Sequence, residues 1–244
     1  MSLLGALGTL RLGRDYTVTY LGYEEYDVWS DIGITSVGKF DSSLGTDRDT
    51  AVRADNLIAY DTPVLGGFYG RFGFAPGEGV AGKKYAAGRV GYATGPLDVS
   101  LSVGQTQVTP LAGDDRFKTA DFGAAYDFGA FKLSSYLTQS KIADLKVSNV
   151  YVGVQVPWGA GLVRASYLRS NQSGRSAAGV TIDGDDAQQV ALGYLYNLSA
   201  RTALYGNVAH VANHGVSAIA VDRNPTLAPG KSSTGFDVGV RHSF

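Results

Sequence analysis

The segment Ser148-Asn149-Val150-Tyr151-Val152-Gly153-Val154-Gln155-Val156-Pro157-Trp158 decides the fold class. Val150, Val152, Val154, Val156 and Trp158 fall on one face, and Tyr151, Gly153 and Gln155 on the other. That two-residue period is the mark of a β-strand with unlike faces. The pattern recurs at 97–104, where Leu97, Val99, Leu101 and Val103 alternate with Asp98, Ser100, Ser102 and Gly104. At 189–198, Val190, Leu192, Tyr194, Tyr196 and Leu198 alternate with Gln189, Ala191, Gly193 and Asn197. At 234–244, Phe236, Val238, Val240 and Phe244 are set against Asp237, Gly239 and Arg241. Eight further segments carry it: 8–16, 52–62, 67–75, 84–94, 117–128, 130–139, 160–170 and 200–212. Helical spacing is sustained nowhere. The sequence predicts an all-β protein of twelve strands.

Composition narrows what such a protein can be. Glycine supplies 33 of 244 residues and tyrosine 15, with no cysteine and one methionine. Without cysteine there is neither a disulfide framework nor a thiolate zinc site. Lys+Arg (21) balances Asp+Glu (22), so the basic excess of a nucleic-acid binder is missing. No apolar run is long enough for a membrane helix. Mean hydropathy is −0.03, which an alternating barrel and a soluble protein would share. Met1–Gly8 lacks the positive region and apolar length of a signal peptide.

The connections are short and long by turns. Pro63–Gly66, Gly95-Pro96, Gly129, Gly159 and Ser199 are tight, whereas 17–51, 76–83, 105–116, 140–147, 171–185 and 213–233 are long. An up-and-down meander puts the two kinds at opposite ends, as in outer-membrane barrels. The strand lengths also suit a tilted crossing of hydrocarbon. The polar face is crowded with glycine, serine and the long cations Arg11, Arg53, Arg71, Arg89, Lys132 and Arg164, which suits a wide aqueous lumen. Aromatics gather near strand ends (Tyr60, Phe68, Phe74, Tyr92, Tyr126, Phe131, Trp158, Tyr194, Tyr196, Phe244), as an interfacial girdle requires, although β-propensity alone also favours them. The expected fold is a transmembrane antiparallel up-and-down β-barrel.

Three motifs then carry a family resemblance. Leu12-Gly13-Arg14-Asp15-Tyr16, followed by Gly22-Tyr23 and an acidic stretch, resembles the strand and constriction loop of Gram-negative general porins. Arg53-Ala54-Asp55-Asn56-Leu57-Ile58-Ala59-Tyr60-Asp61-Thr62-Pro63 with Gly66-Gly67-Phe68 resembles the corresponding stretch of the β-proteobacterial and neisserial branch. The ending Gly239-Val240-Arg241-His242-Ser243-Phe244 resembles their closing strand. Asp237, Gly239, His242 and Phe244 resemble the signal read by the barrel-assembly machinery, with His242 a less usual choice.

The resemblance implies an outer-membrane diffusion channel for small hydrophilic solutes and ions, without cofactor. Its partners would be outer-membrane lipid and lipopolysaccharide, the assembly machinery and two further copies in a homotrimer. Family members have sixteen strands. The chain would therefore lack a signal peptide and about four strands, residues 2–4 being the tail of the fourth. Loop 17–51 would fold inward and narrow the pore with Glu24, Glu25, Asp27, Asp31 and Asp41. Arg11, Arg53, Arg71 and Arg89 would face it from the wall, with Lys132 and Arg164 also in the lumen. Arg53 matches a family constriction arginine best, and Arg14 falls nearer the loop junction. Any one of these charges is equally well a plain solvated group.

Other constellations fail. His210, His214 and His242 are too scattered for a metal site. Asp183, Asp185 and Asp186 read as a solvated acidic loop ahead of a calcium loop, whose ligand spacing they lack. Gly77-Glu78-Gly79 opens no helix, and no nucleophile–base order has supporting context, so no enzyme is expected. A non-conducting barrel acting as an adhesin through its external loops is the alternative, and a soluble β protein a third.

Overall fold

The computed structural model describes residues 1–176, 178–222 and 226–243. Thirteen strands form one sheet: β1 (Ser2–Gly5), β2 (Gly8–Tyr16), β3 (Arg53–Asp61), β4 (Phe68–Ala75), β5 (Lys84–Thr94), β6 (Leu97–Leu111), β7 (Asp114–Asp127), β8 (Lys132–Ile142), β9 (Leu145–Trp158), β10 (Gly161–Ser173), β11 (Ala187–Asn197), β12 (Thr202–Asn213) and β13 (Ser233–His242). Every strand pairs antiparallel with its sequence neighbours, in strict order from β1 to β13. The twelve expected strands are all present, and residues 2–5 add β1. Among the described residues the sheet curls around loop 17–52 without closing, since β1 pairs only with β2 and β13 only with β12.

The faces are arranged as lipid demands. In β9, Val150 and Val152 are 46% and 43% exposed while Tyr151 between them is fully buried. Leu101, Val103, Phe122, Leu137, Val190 and Leu192 are likewise exposed on the outside of the sheet. Ser100, Ser102, Asp121, Ser134 and Gln189, on the alternate pleat, are buried inside. A soluble barrel reverses this assignment. At the short-turn end the outward aromatics touch in pairs, with Phe68 against Tyr92 at 4.7 Å and Phe128 between Tyr126 (4.6 Å) and Phe131 (4.7 Å). Such a ring suits the membrane–water boundary.

Two expected loops are not loops. Strand pairing runs through 105–116 and 140–147, leaving only Ala112-Gly113 and Ala143-Asp144 as turns. The physical reason is a reversal of face polarity. Above the lipid band, Val108, Phe117, Ile142, Leu145 and Val147 point inward and form a buried cluster with Leu44 of loop 17–52. Outward stand Gln105, Gln107, Arg116, Lys118, Lys141 and Lys146. The two-residue period persists, but its apolar phase has changed sides.

A second difference is the helix α1 (Val18–Glu24) inside loop 17–52, with 3₁₀ turns at Gly33–Thr35 and Gly38–Phe40. At seven residues, α1 is too short for a periodic signal. It starts at Thr17, whose hydroxyl accepts the Tyr20 N–H, and it packs on the inner surface of β4–β8.

The outward pleat at mid-height should not tolerate charge. Leu101→Arg is expected to cost about 2–4 kcal/mol of folding free energy in lipid vesicles. Urea titration of the refolded protein measures it.

Candidate functional site

The candidate functional surface is the lumen, and loop 17–52 is packed within it. The loop places an aromatic ring at every third position: Tyr20, Tyr23, Tyr26 and Trp29. Each is buried between loop and wall. Tyr23 meets Tyr20 edge-on at 5.4 Å and Tyr136 of β8 at 5.5 Å, and Tyr136 stacks on Tyr151 of β9 at 4.7 Å. Buried aromatic pairs of this kind contribute about 0.5–1.5 kcal/mol each beyond their area. Gly123 in β7 makes room for the loop, because any Cβ there would overlap the Tyr26 ring.

Polar contacts fix the loop's height. The Tyr26 hydroxyl donates to Asp98 Oδ1 at 3.0 Å and lies 3.0 Å from Ser100 Oγ. Tyr151 Oη accepts the Val28 N–H at 3.1 Å, and Trp29 Nε1 donates to Ser166 Oγ at 2.7 Å. Farther round, Gln189 Nε2 donates to the Thr35 carbonyl (3.0 Å) and Asn149 Nδ2 to that of Phe40 (3.3 Å). Asp47 accepts both the backbone N–H and the hydroxyl of Thr109.

Among the expected acids, Glu25 pairs with Arg89 at 2.7 Å. Arg89 is 3% exposed and also donates to Ser100 Oγ, the Leu21 carbonyl and Tyr69 Oη. Asp41 pairs with Arg48 at 2.7 Å, and the Arg48 guanidinium lies 4.3 Å over Phe117. Asp31 is a loop organiser: it accepts from Tyr20 Oη, Gly38 N and Ser36 Oγ. Asp27 accepts the N–H groups of Trp29 (3.1 Å) and Asp31 (2.8 Å). Glu24 is half-buried, and its carboxyl is raised first by burial and then by Glu25.

The expected cations divide. Arg11 binds Asp61 at 2.7 Å, and Arg71 bridges Asp15 (2.9 Å) and Asp61 (3.5 Å), so wall acids answer both. Lys132 faces inward at the short-turn end, in a hollow with Asp98 and Asp127. Arg164 lies 4.7 Å over the Trp29 ring and donates to the Val28 carbonyl.

Arg53 departs from expectation. Between Gly13 and Asp15 the β2–β3 register slips, with Asn56 in the left-handed region at φ 53°. That bulge turns Ala54 and Asp15 inward and leaves Arg53 on the opposite pleat, hydrogen-bonded to Tyr16 Oη and 4.4 Å over its ring. Arg14 pairs with Asp55 at 2.7 Å, both exposed. Neither arginine is brought to the loop acids.

Sequence reasoning passed over Arg48, the loop aromatics and Arg241, which sits inward on β13 opposite Ala203. The three-residue spacing of Tyr20, Tyr23, Tyr26 and Trp29 was the available signal. In the closing strand, Asp237 accepts from Asn207 Nδ2 at 2.7 Å, and Gly239 lies against Tyr205, where a Cβ would crowd the ring. His242 Nδ1 lies 2.9 Å from Thr202 Oγ1, and Phe244 is outside the described residues. Asp183, Asp185 and Asp186 each accept a backbone N–H, from Gly174, Val216 and Gln172, and so act as loop staples.

Burial raises the Asp27 carboxyl to about 6. A native value above the unfolded one means that the protonated form favours the folded loop. The contribution is full below the unfolded value near 4 and lost as pH rises through about 6, up to about 3 kcal/mol. Thermal melting followed by Trp29 fluorescence in a Trp158→Phe background is expected to rise from pH 8 to pH 5. Asp27→Asn should reduce that dependence.

Comparison with known proteins agrees with this architecture. A profile described as Gram-negative porin matches residues 1–215. Outer membrane porin protein 32 of Delftia acidovorans is 38% identical over 265 residues, covering 100% of this chain and 72% of that protein. A second outer membrane porin protein, from Bordetella pertussis, is 25% identical over 294 residues, covering 97% of this chain and 69% of its own length. The solved anion-selective porin from Comamonas acidovorans superposes with a TM-score of 0.86 at 36% identity, covering 100% of this chain and 76% of that one. An alternating sheet with lipid-facing residues outside, a folded loop within and these relatives lead to one conclusion: the chain belongs to the Gram-negative porin family, outer-membrane β-barrel proteins that form passive diffusion channels.

Proposed function

We propose that loop 17–52 is the constriction of this channel and that the pore favours anions. The observation that carries this is the unequal neutralisation of lumen charge. The loop acids Glu25 and Asp41 are each held against an arginine. Asp27 has its charged form disfavoured by burial. Arg164 makes no ion pair among the described residues, and its Nε is buried without an acceptor beside Trp29. Arg241 likewise has no ion pair among the described residues and adds to the positive field around Arg164, which Asp27 and Asp237 offset in part. Fixed positive charge at a narrow, poorly screened place raises the local concentration of anions and lowers that of cations. The Comamonas relative is an anion-selective porin, in line with this reading.

No bond chemistry is assigned. The same reading makes the protein a homotrimer delivered by the barrel-assembly machinery, with Asp237, Gly239, His242 and Phe244 as the recognition signal.

Reversal potential across a planar bilayer in a salt gradient tests the selectivity. The refolded protein should conduct ohmically with anion preference. Arg164→Gln should weaken that preference and Arg164→Glu reverse it. Glu25→Gln, which releases the Arg89 charge, should strengthen it. Arg53→Gln should leave it unchanged. A silent bilayer, or an unmoved reversal potential in Arg164→Glu, would overturn the proposal.

A further inference from the structure

The outward face of the sheet carries a feature the channel does not use. Lys118 of β7 pairs directly with Lys141 of β8, and Lys141 pairs directly with Lys146 of β9. All three are exposed and share the outward pleat with Phe122, Leu137 and Val150. Three like charges in cross-strand register repel one another and would destabilise the sheet if left alone. Among the described residues none of the three makes an ion pair. Asp114 and Asp115, the acids at the tip of the neighbouring hairpin, make no ion pair with the row, although Asp114 feels the charge of Lys118 through space. Asp114 accepts the N–H groups of Arg116 and Ala143, and Asp115 binds Gln107 and Arg116.

The height of the row is informative. Lys118 is eight residues from Tyr126, at the aromatic end of the same strand. Eight residues at about 3.4 Å each, tilted by about 40°, span roughly 20 Å of membrane height, close to the apolar band of such barrels. The lysines therefore stand at the outer edge of the hydrocarbon. Immediately below them lies an outward hollow of about 660 Å³, floored by Ala86, Gly88 and Ala120 and walled by Phe72 and Val103, with Lys118 and Lys141 on its rim.

We propose that Lys118, Lys141 and Lys146 form a binding site for the phosphate-bearing headgroup of an outer-leaflet lipid, one of whose acyl chains lies in the hollow over Gly88 and Ala120. A phosphate group between the ammonium groups removes their mutual repulsion, and the small side chains below leave space that a straight hydrocarbon chain fills. The site rests on the outer-membrane placement of the chain and is independent of the pore's selectivity.

Native mass spectrometry of the detergent-refolded full chain, titrated with bis-phosphorylated lipid A, tests this. Lipid A should bind, about fivefold more weakly for Lys141→Gln and about a hundredfold more weakly when all three lysines become glutamine. The triple lysine-to-arginine variant should retain binding. Heat-modifiable gel mobility reports folding, and if the triple glutamine variant does not fold, Lys141→Gln alone carries the test. Undiminished binding in Lys141→Gln or the triple glutamine variant overturns the site. So does equal binding of dephosphorylated lipid A. Complete displacement by millimolar inorganic phosphate would make free phosphate the ligand and overturn the lipid assignment. Disulfide trapping of two chains through Lys141→Cys in lipid would make the face an interface between copies and overturn it as well.

Discussion

Hydrocarbon offers no partner to a backbone N–H or carbonyl, and the rest of this structure follows from that constraint. Each interior strand must pair on both sides, so the chain meanders in order with no strand out of sequence. The outside must be apolar, so the polar pleat is left to face inward. A polar interior of this width forms little core from wall residues alone, the small cluster of Ala54, Leu57, Ala59, Ala75 and Tyr85 being one such patch. The core is supplied by loop 17–52, whose aromatic rings fill the space between opposite walls. The lumen is consequently part water path and part packed protein.

That division explains where the charges end up. A charge near the packed side must be neutralised or displaced, because burial without a partner is costly. Arg89 at 3% exposure therefore holds Glu25, and Arg48 holds Asp41. Acid and base were expected to face each other across an open gap; at these two places they meet in contact instead. On the proposed reading, what acts on a passing ion is the remainder, centred on Arg164 and Arg241, one of which sequence reading had not singled out.

Most of the fold could be read from the chain because the two-residue period of strands such as 148–158 is insensitive to distant contacts. The period failed to announce structure where its phase reversed, as at Val108 and Leu145, where the sheet leaves the lipid and the apolar side turns inward. The candidate site was less legible. Pleat parity placed Arg11, Arg71, Arg89, Lys132 and Arg164 inside. It misplaced Arg53, because one extra residue at Asn56 inverts the alternation, and a single left-handed residue leaves almost no trace in composition. The loop's anchorage was invisible for a different reason: Tyr26 reaches Ser100 and Trp29 reaches Ser166 across 74 and 137 residues of chain.

The loop's manner of attachment has a mechanical consequence. It is rooted in strands at both ends and tied along its length, by Tyr26 at β6, Trp29 at β10, Thr35 at β11, Phe40 at β9 and Leu44 within the upper cluster. In engineering terms it is a beam on many supports rather than a flap on a hinge. A flap swings through its full length when one fastening fails, whereas a multiply supported beam sags only between adjacent props. The aperture beside it should therefore keep a nearly constant width as solutes pass, and the current it carries should be quiet.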